Sequence, residues 1–411
     1  MKRNKKVKIN KFLGRAYQKG IYAASCFIKF REPKIIETLE NLNDVILNEK
    51  IRNVLVFTTK RVIDTDFYKA LIKQIEHSSR CYEQIYEINE PTISYIESKF
   101  EQYRYQYIDM VIAIGGGSVL DASKLLAARL ANPEQKIEKM RGVLKVKHKT
   151  IPILAVPTTA GTGSECTVAA VVTNDKTNDK FAVNDPKLIP EYVMFEPSLM
   201  YTLTPYLTAI TGLDALTHAV EAYIGSSNTK KTKKSAVEAV RLIFNNLLIA
   251  YKEPNNTTAR KNMQYASYLA GIAFTRAYVG YVHAISHAIG GITHLRHGEL
   301  CAICLPIMLE QYKESVTKKL SKLTKKAYLA STFVNDKERL SKIFIEKVKE
   351  LNKNLEIKEN LKELVNDDLG YEMYPSIINH INKEVYPLYP VPKYFTDEEL
   401  SKILDIIIRG E

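Results

Sequence analysis

Short runs of β-branched and other apolar residues recur between about Arg52 and Glu196, in NVLVFTT, DMVIAI, TIPILAV and EYVMFE. The stretches between them space their apolar residues three and four apart, as helices do. Strand-length apolar runs alternating with helices predict an α/β domain with a mainly parallel sheet. From about Thr204 onward the apolar spacing is helical almost without interruption, which predicts an all-α second half and a boundary near Leu203 to Pro205. At 411 residues the chain also exceeds the size at which one hydrophobic core keeps growing. The expected division is a basic N-terminal extension over residues 1–30, an α/β domain over 31–204 and a helical domain over 205–411.

Composition narrows the function classes. The chain is 45% apolar but has no run of about eighteen uninterrupted apolar residues, and its basic start is not followed by an apolar block of signal-peptide length. No membrane partner and a cytoplasmic location are expected. The net charge of +13 would suit a nucleic-acid partner, yet the lysines fall mostly in helical stretches such as VTKKLSKLTKKAYLA and in the N-terminal arm, where they read as solvated faces. Zinc-finger spacing and aromatic-basic motifs are missing and Trp is absent, so no nucleic-acid partner is expected. Five cysteines, scattered apart from Cys301 and Cys304, do not make a disulfide framework.

Two glycine-rich turns sit where α/β proteins bind ligands. In DMVIAIGGGSVLDASKLLAARLA a strand runs into Gly115, Gly116, Gly117 and Ser118, then into a helix whose first turn holds Asp121. Glycines let the backbone approach a phosphate, and the helix start supplies amide donors and a favourable dipole. In ILAVPTTAGTGSECT a second strand ends in Pro157, Thr158 and Thr159, followed by Gly161, Thr162, Gly163 and Ser164. Two such turns at the carboxyl ends of strands of one sheet predict a nucleotide contacted twice at a crevice.

The second half supplies metal chemistry. Four of the eight histidines fall in YVHAISHAIGGITHLRHGEL, Tyr281 to Leu300. TGLDALTHAVEAY places Asp214 and His218 four apart, on one face of a helix. His283 and His287 repeat that spacing on another helix, and His297 follows the Gly290-Gly291 break. Carboxylate and imidazole groups from separate helices suit a divalent transition metal, iron(II) or zinc, better than calcium. Cys301 and Cys304 form a C-x-x-C that is redox-active, shares zinc with His297, or is simply buried; the apolar run CAICLPIMLEQY favours buried core cysteines. Glu221 remains open between a partner for a metal ligand and the outer side of its helix.

Together, GGGSVLDASK, VPTTAGTGSE, TGLDALTHAVEAY and the histidine cluster closed by RHGEL resemble the iron-containing, group III alcohol dehydrogenase family over about Arg52 to Pro306. The resemblance implies a Rossmann-like N-terminal domain and a helical C-terminal domain, with metal and NAD(H) or NADP(H) bound in the cleft between them. It implies Fe2+ or Zn2+ on Asp214, His218, His283 and His297, and leaves His287 as the additional histidine beside the nicotinamide, assigned to proton exchange and expected to stay neutral. His294 is taken as a bystander. Lys180 in DKFAVNDP matches a family lysine near the cofactor. Where family members often carry an aspartate for the ribose after the first strand, VLVFTTKRV has Thr59, with Lys60 and Arg61 beside it, which opens the site to NADP(H).

The implied activity is hydride transfer between a small primary alcohol or diol and the nicotinamide, with the metal favouring the alkoxide. Glycerol dehydrogenase-like polyol oxidation and a dehydroquinate synthase-like lyase share the fold and are the alternatives. A homodimer or higher homo-oligomer is expected.

Overall fold

The four apolar runs form four contiguous strands of one sheet. In the computed structural model, which describes residues 11–25, 30–365 and 369–411, the strands are β1 (Lys34–Ile36), β2 (Asn53–Thr58), β3 (Arg80–Ile85), β4 (Met110–Gly115), β5 (Gly142–Val143), β6 (Ile153–Pro157), β7 (Ala169–Asn174), β8 (Asp179–Asn184) and β9 (Tyr192–Met194). Six of them make a parallel sheet in the order β1-β9-β6-β4-β2-β3. The predicted runs are its interior, β9-β6-β4-β2. Alternate residues explain why they are apolar throughout. Leu55, Phe57, Val111, Ala113, Ile153 and Ala155 join the core on one face, while Val54, Val56, Ile112, Ile114, Leu154 and Val156 join the core on the other. Helices cover both faces, so neither side can be polar.

Strand order locates the crevice. From β2 the chain builds β3 on one side, then returns to lay β4 on the other, so the topology reverses between β2 and β4. Ligands of such sheets bind outside the carboxyl ends of strands at that reversal. There the chain places Thr59 after β2 and the Gly115–Gly117 turn after β4. A smaller sheet, order β5-β8-β7, joins the antiparallel pair β7 and β8 to β5.

Two compact units emerge: Lys29–Leu203 with Pro254–Thr275, and Met1–Ile28 with Thr204–Glu253 and Arg276–Glu411. The change of pattern at Leu203 to Pro205 coincides with one passage between them, but most of helix Thr257–Ala277 groups with the α/β unit. In the helical unit, helix Pro205–Ile224 starts on Thr204, whose side chain accepts the Leu207 amide, with proline in the first turn. Almost every residue from Thr208 to Ile224 is buried, so this helix is central to its unit. Helix His297–Gln311 packs on it at very short range: a Cβ on Gly298 would stand 2.4 Å from the Ile210 carbonyl oxygen. Only glycine permits that approach.

Part of the expected N-terminal extension is a helix, Lys11–Ser25, docked on the C-terminal segment of its unit. Gln18 Nε2 donates to the Tyr389 carbonyl and the Tyr394 hydroxyl, each at 2.6 Å, and Arg15 donates to the Pro392 carbonyl at 3.1 Å. The basic residues 1–10 and positions 26–29 of that extension lie outside the described residues. No described helix is long and apolar enough to cross a membrane.

Candidate metal and cofactor site

Asp214 and His218 lie one turn apart on helix Pro205–Ile224, His283 and His287 on helix Tyr281–Thr293, and His297 opens helix His297–Gln311. Their donor atoms face one another. From Asp214 Oδ1, His297 Nε2 is 3.6 Å away, His283 Nε2 3.8 Å and His218 Nδ1 3.9 Å. The ring of His218 lies 4.4 Å from that of His283. One donor was not in the predicted ligand set: donor atoms of Asp214, His283, His297 and Cys301 all fall within 4.8 Å of one another, a grouping that includes the Cys301 thiol and not His218.

The interior of this cluster is arranged for a cation. Asp214 and His283 are only 3% and 2% exposed, yet Asp214 Oδ1 and His283 Nε2 have no hydrogen-bond partner among the described residues. Buried polar atoms seldom go unpaired, because each such atom costs about 1–3 kcal/mol. Burial pushes the Asp214 carboxyl up to about 7 and holds His283 down at about 3, so the imidazole is neutral and able to ligate. A divalent ion would fit this donor set and would remove the cost of the orphaned atoms.

Glu221 resolves as the orienting partner of His283. Its buried carboxylate accepts the backbone amides of Gly280 and Val282 at 2.8 Å each and the His283 Nδ1–H at 2.7 Å. It therefore caps helix Tyr281–Thr293 and fixes the tautomer that turns His283 Nε2 toward Asp214. Burial raises the Glu221 carboxyl to about 7, against the lowering effect of those amides.

His287 lies on the open side. Its side chain is 42% exposed, its ring stacks 4.9 Å from His297, and its Nδ1 donates to Glu384 Oε2 at 2.9 Å. Burial alone would raise the Glu384 carboxyl, but hydrogen bonds from His287 and His380 and their charge hold it at about 2. The Glu384 carboxylate in contact with the ring is a partner that the helical spacing of His287 does not reveal. His294 ends its helix in the left-handed region (φ 57°), a helix-terminating position, and is not among the clustered donors.

In the α/β unit the two glycine-rich turns meet. Gly115 and Pro157 are register partners in β4 and β6, and the Thr158 amide donates to the Gly115 carbonyl at 3.0 Å. A Cβ on Gly117 would stand 3.2 Å from Thr162 Oγ1, and one on Gly116 would stand 3.6 Å from Thr159 Oγ1. Helix Gly117–Ala131 begins on Gly116 with no side chain capping it, so Gly117, Ser118 and the residues after them present its first amides to a ligand. This cradle fits a dinucleotide phosphate. Asp121 is committed elsewhere: it accepts from Ser164 Oγ at 2.6 Å and from the Val171 amide at 3.0 Å, bracing one turn against the other. Lys180, on β8, is exposed and pairs with Glu90 at 2.9 Å.

Models of two families match the chain: "Iron-containing alcohol dehydrogenase" over residues 35–197 and "Fe-containing alcohol dehydrogenase family, C-terminal" over residues 208–407. Alcohol dehydrogenase 4 of Saccharomyces cerevisiae is 34% identical over 370 residues, 89% of this chain and 94% of that protein. The NADPH-dependent butanol dehydrogenase of Clostridium saccharobutylicum is 31% identical over 324 residues, 78% of this chain and 82% of that one. Among solved structures, a sulfoacetaldehyde reductase from Bifidobacterium kashiwanohense in complex with NAD+ superposes with a TM-score of 0.83 at 25% identity, covering 93% of this chain and 99% of that one. With its interior strands, glycine turns and buried aspartate-histidine cluster in place, the chain belongs to the iron-containing alcohol dehydrogenase family.

Proposed function

We propose that this NAD-linked alcohol dehydrogenase interconverts a small primary alcohol or diol and its aldehyde, and that Asp214, His218, His283 and His297 hold its metal. The observation that carries the assignment is the pair of buried atoms without partners, Asp214 Oδ1 and His283 Nε2, facing each other across 3.8 Å. When bound, the metal acts as a Lewis acid on the substrate oxygen and the nicotinamide accepts or returns the hydride.

The chain's own residues do the rest. Asp214 and His283 supply a fixed, largely dry donor field in which electrostatic interactions are strong, while Glu221 keeps His283 aimed. Exposure rises from 3% and 4% at the side chains of His283 and Asp214 to 38% and 42% at His297 and His287, so the substrate approaches past the last two. His287 exchanges the alcohol proton with solvent. Gly116, Gly117 and Ser118 take the pyrophosphate on the helix start, and Thr158, Thr159 and Thr162 flank it. Thr59, half-buried at the end of β2, stands where a ribose-binding carboxylate would repel a 2′-phosphate, so NADP(H) is accepted alongside NAD(H). The role of Lys180 beside the cofactor requires it to leave Glu90. A homodimer or larger assembly remains part of the proposal.

The test is His218→Ala. It should remove most bound metal, read by elemental analysis, and nearly all turnover with C2 to C6 alcohols and aldehydes. Full metal content with near-wild-type activity contradicts the ligand set.

A further inference from the structure

Cys301 lies one helical turn after His297, fully buried, with Sγ 3.5 Å from His297 Nε2 and within 4.8 Å of the donor atoms of Asp214 and His283. The orphaned Asp214 Oδ1 and His283 Nε2 point into the same small volume. Cys304, the other half of the C-x-x-C, is equally buried but lies outside this donor cluster. The Cys301 thiol also hydrogen-bonds the Asp214 side chain, so the sulfur faces the carboxylate and not an apolar wall.

We propose that Cys301 Sγ is an additional ligand of the metal, giving this site a thiolate donor that biases it toward zinc and cobalt over iron(II). The inference rests on the reading that Asp214 and its neighbouring histidines hold the metal. Nitrogen and oxygen donors alone distinguish these ions weakly, whereas a thiolate favours the softer ones. On binding, the Cys301 S–H bond breaks, the proton leaves to solvent, and a sulfur lone pair forms the bond to the metal, with no change of oxidation state. Exchange of Cys301 should lower zinc affinity relative to iron(II) by at least about tenfold, the lower end of what is lost when a group that merely orients a ligand is removed.

Cobalt(II) loaded into the full chain reads the donor set directly. The wild-type protein should show visible ligand-field bands and, beside them, a near-ultraviolet thiolate-to-cobalt charge-transfer band. Cys301→Ser should keep the visible bands and lose the near-ultraviolet one; Cys301→Ala serves as a second variant, and Cys304→Ser should retain both. Visible bands without a charge-transfer band in the wild-type protein overturn the thiolate ligand while leaving the aspartate-histidine site standing. A charge-transfer band that survives in Cys301→Ser overturns it as well. A protein that takes up no cobalt at all overturns both readings.

Discussion

At the scale of single residues, two carboxylates differ in how the sequence reveals them. Glu221 sits seven positions after Asp214 on the same helix, a spacing that leaves it open between a partner for a metal ligand and the outer side of the helix, and the structure supplies the contact with His283. Glu384 lies 97 positions from His287, and no local pattern links them. The contact makes Glu384 a positioning residue: it fixes which His287 nitrogen carries a proton and holds the ring against His297. His287→Ala should retain its metal and lose roughly 10²–10⁴-fold in kcat, the usual contribution of a general acid-base. Glu384→Gln should also retain metal, lower kcat by less, and move the pH profile of kcat. If Glu384 acts through His287, adding Glu384→Gln to His287→Ala costs nothing further. Equal losses in both backgrounds would reduce Glu384 to a structural contact.

The elements show where sequence patterning is informative and where it fails. β9, β6, β4 and β2 were legible because a strand covered on both faces must be apolar at every position. The edge strands escaped notice for the opposite reason. β3, RCYEQI, is polar and half exposed, and β1 is three residues long. The pair β7 and β8 lies in a second small sheet, with mixed exposure along both strands. Turns were legible by composition, but their contacts were not: Asp121 lies just past the first turn of the glycine helix, and its carboxylate is spent on Ser164 and Val171. Thr59 is the turn residue on which the proposed cofactor choice depends. It follows the last β2 residue directly, beside the reversal point of the sheet. Thr59→Asp should supply an acceptor for the ribose hydroxyls and repel a 2′-phosphate, shifting the ratio of kcat/KM values toward NADH. An unchanged ratio places the ribose elsewhere.

Across the whole molecule, a chain with a net charge of +13 buries three carboxyls that are each pushed to about 7: Asp214 and Glu221 in the helical unit and Glu165 in the α/β unit. Asp214 and Glu221 belong to the proposed metal site, directly or through His283. Glu165, 1% exposed, has an Oε1 with no hydrogen-bond partner among the described residues, and burial outweighs its own backbone hydrogen bond and the charge of Lys124. Its folded-state pKa therefore lies above the unfolded value of about 4.3. Between those values the folded chain binds more protons than the unfolded one, so stability falls as pH rises from about 4 to 7 and stays low above that. The loss is on the order of 3 kcal/mol for a shift of this size. Glu165→Gln keeps the shape and removes the titration. Its thermal midpoint should match the wild-type value near pH 4 and exceed it at pH 8, and a variant no more stable than wild type at pH 8 would mean that Glu165 is held charged by its surroundings.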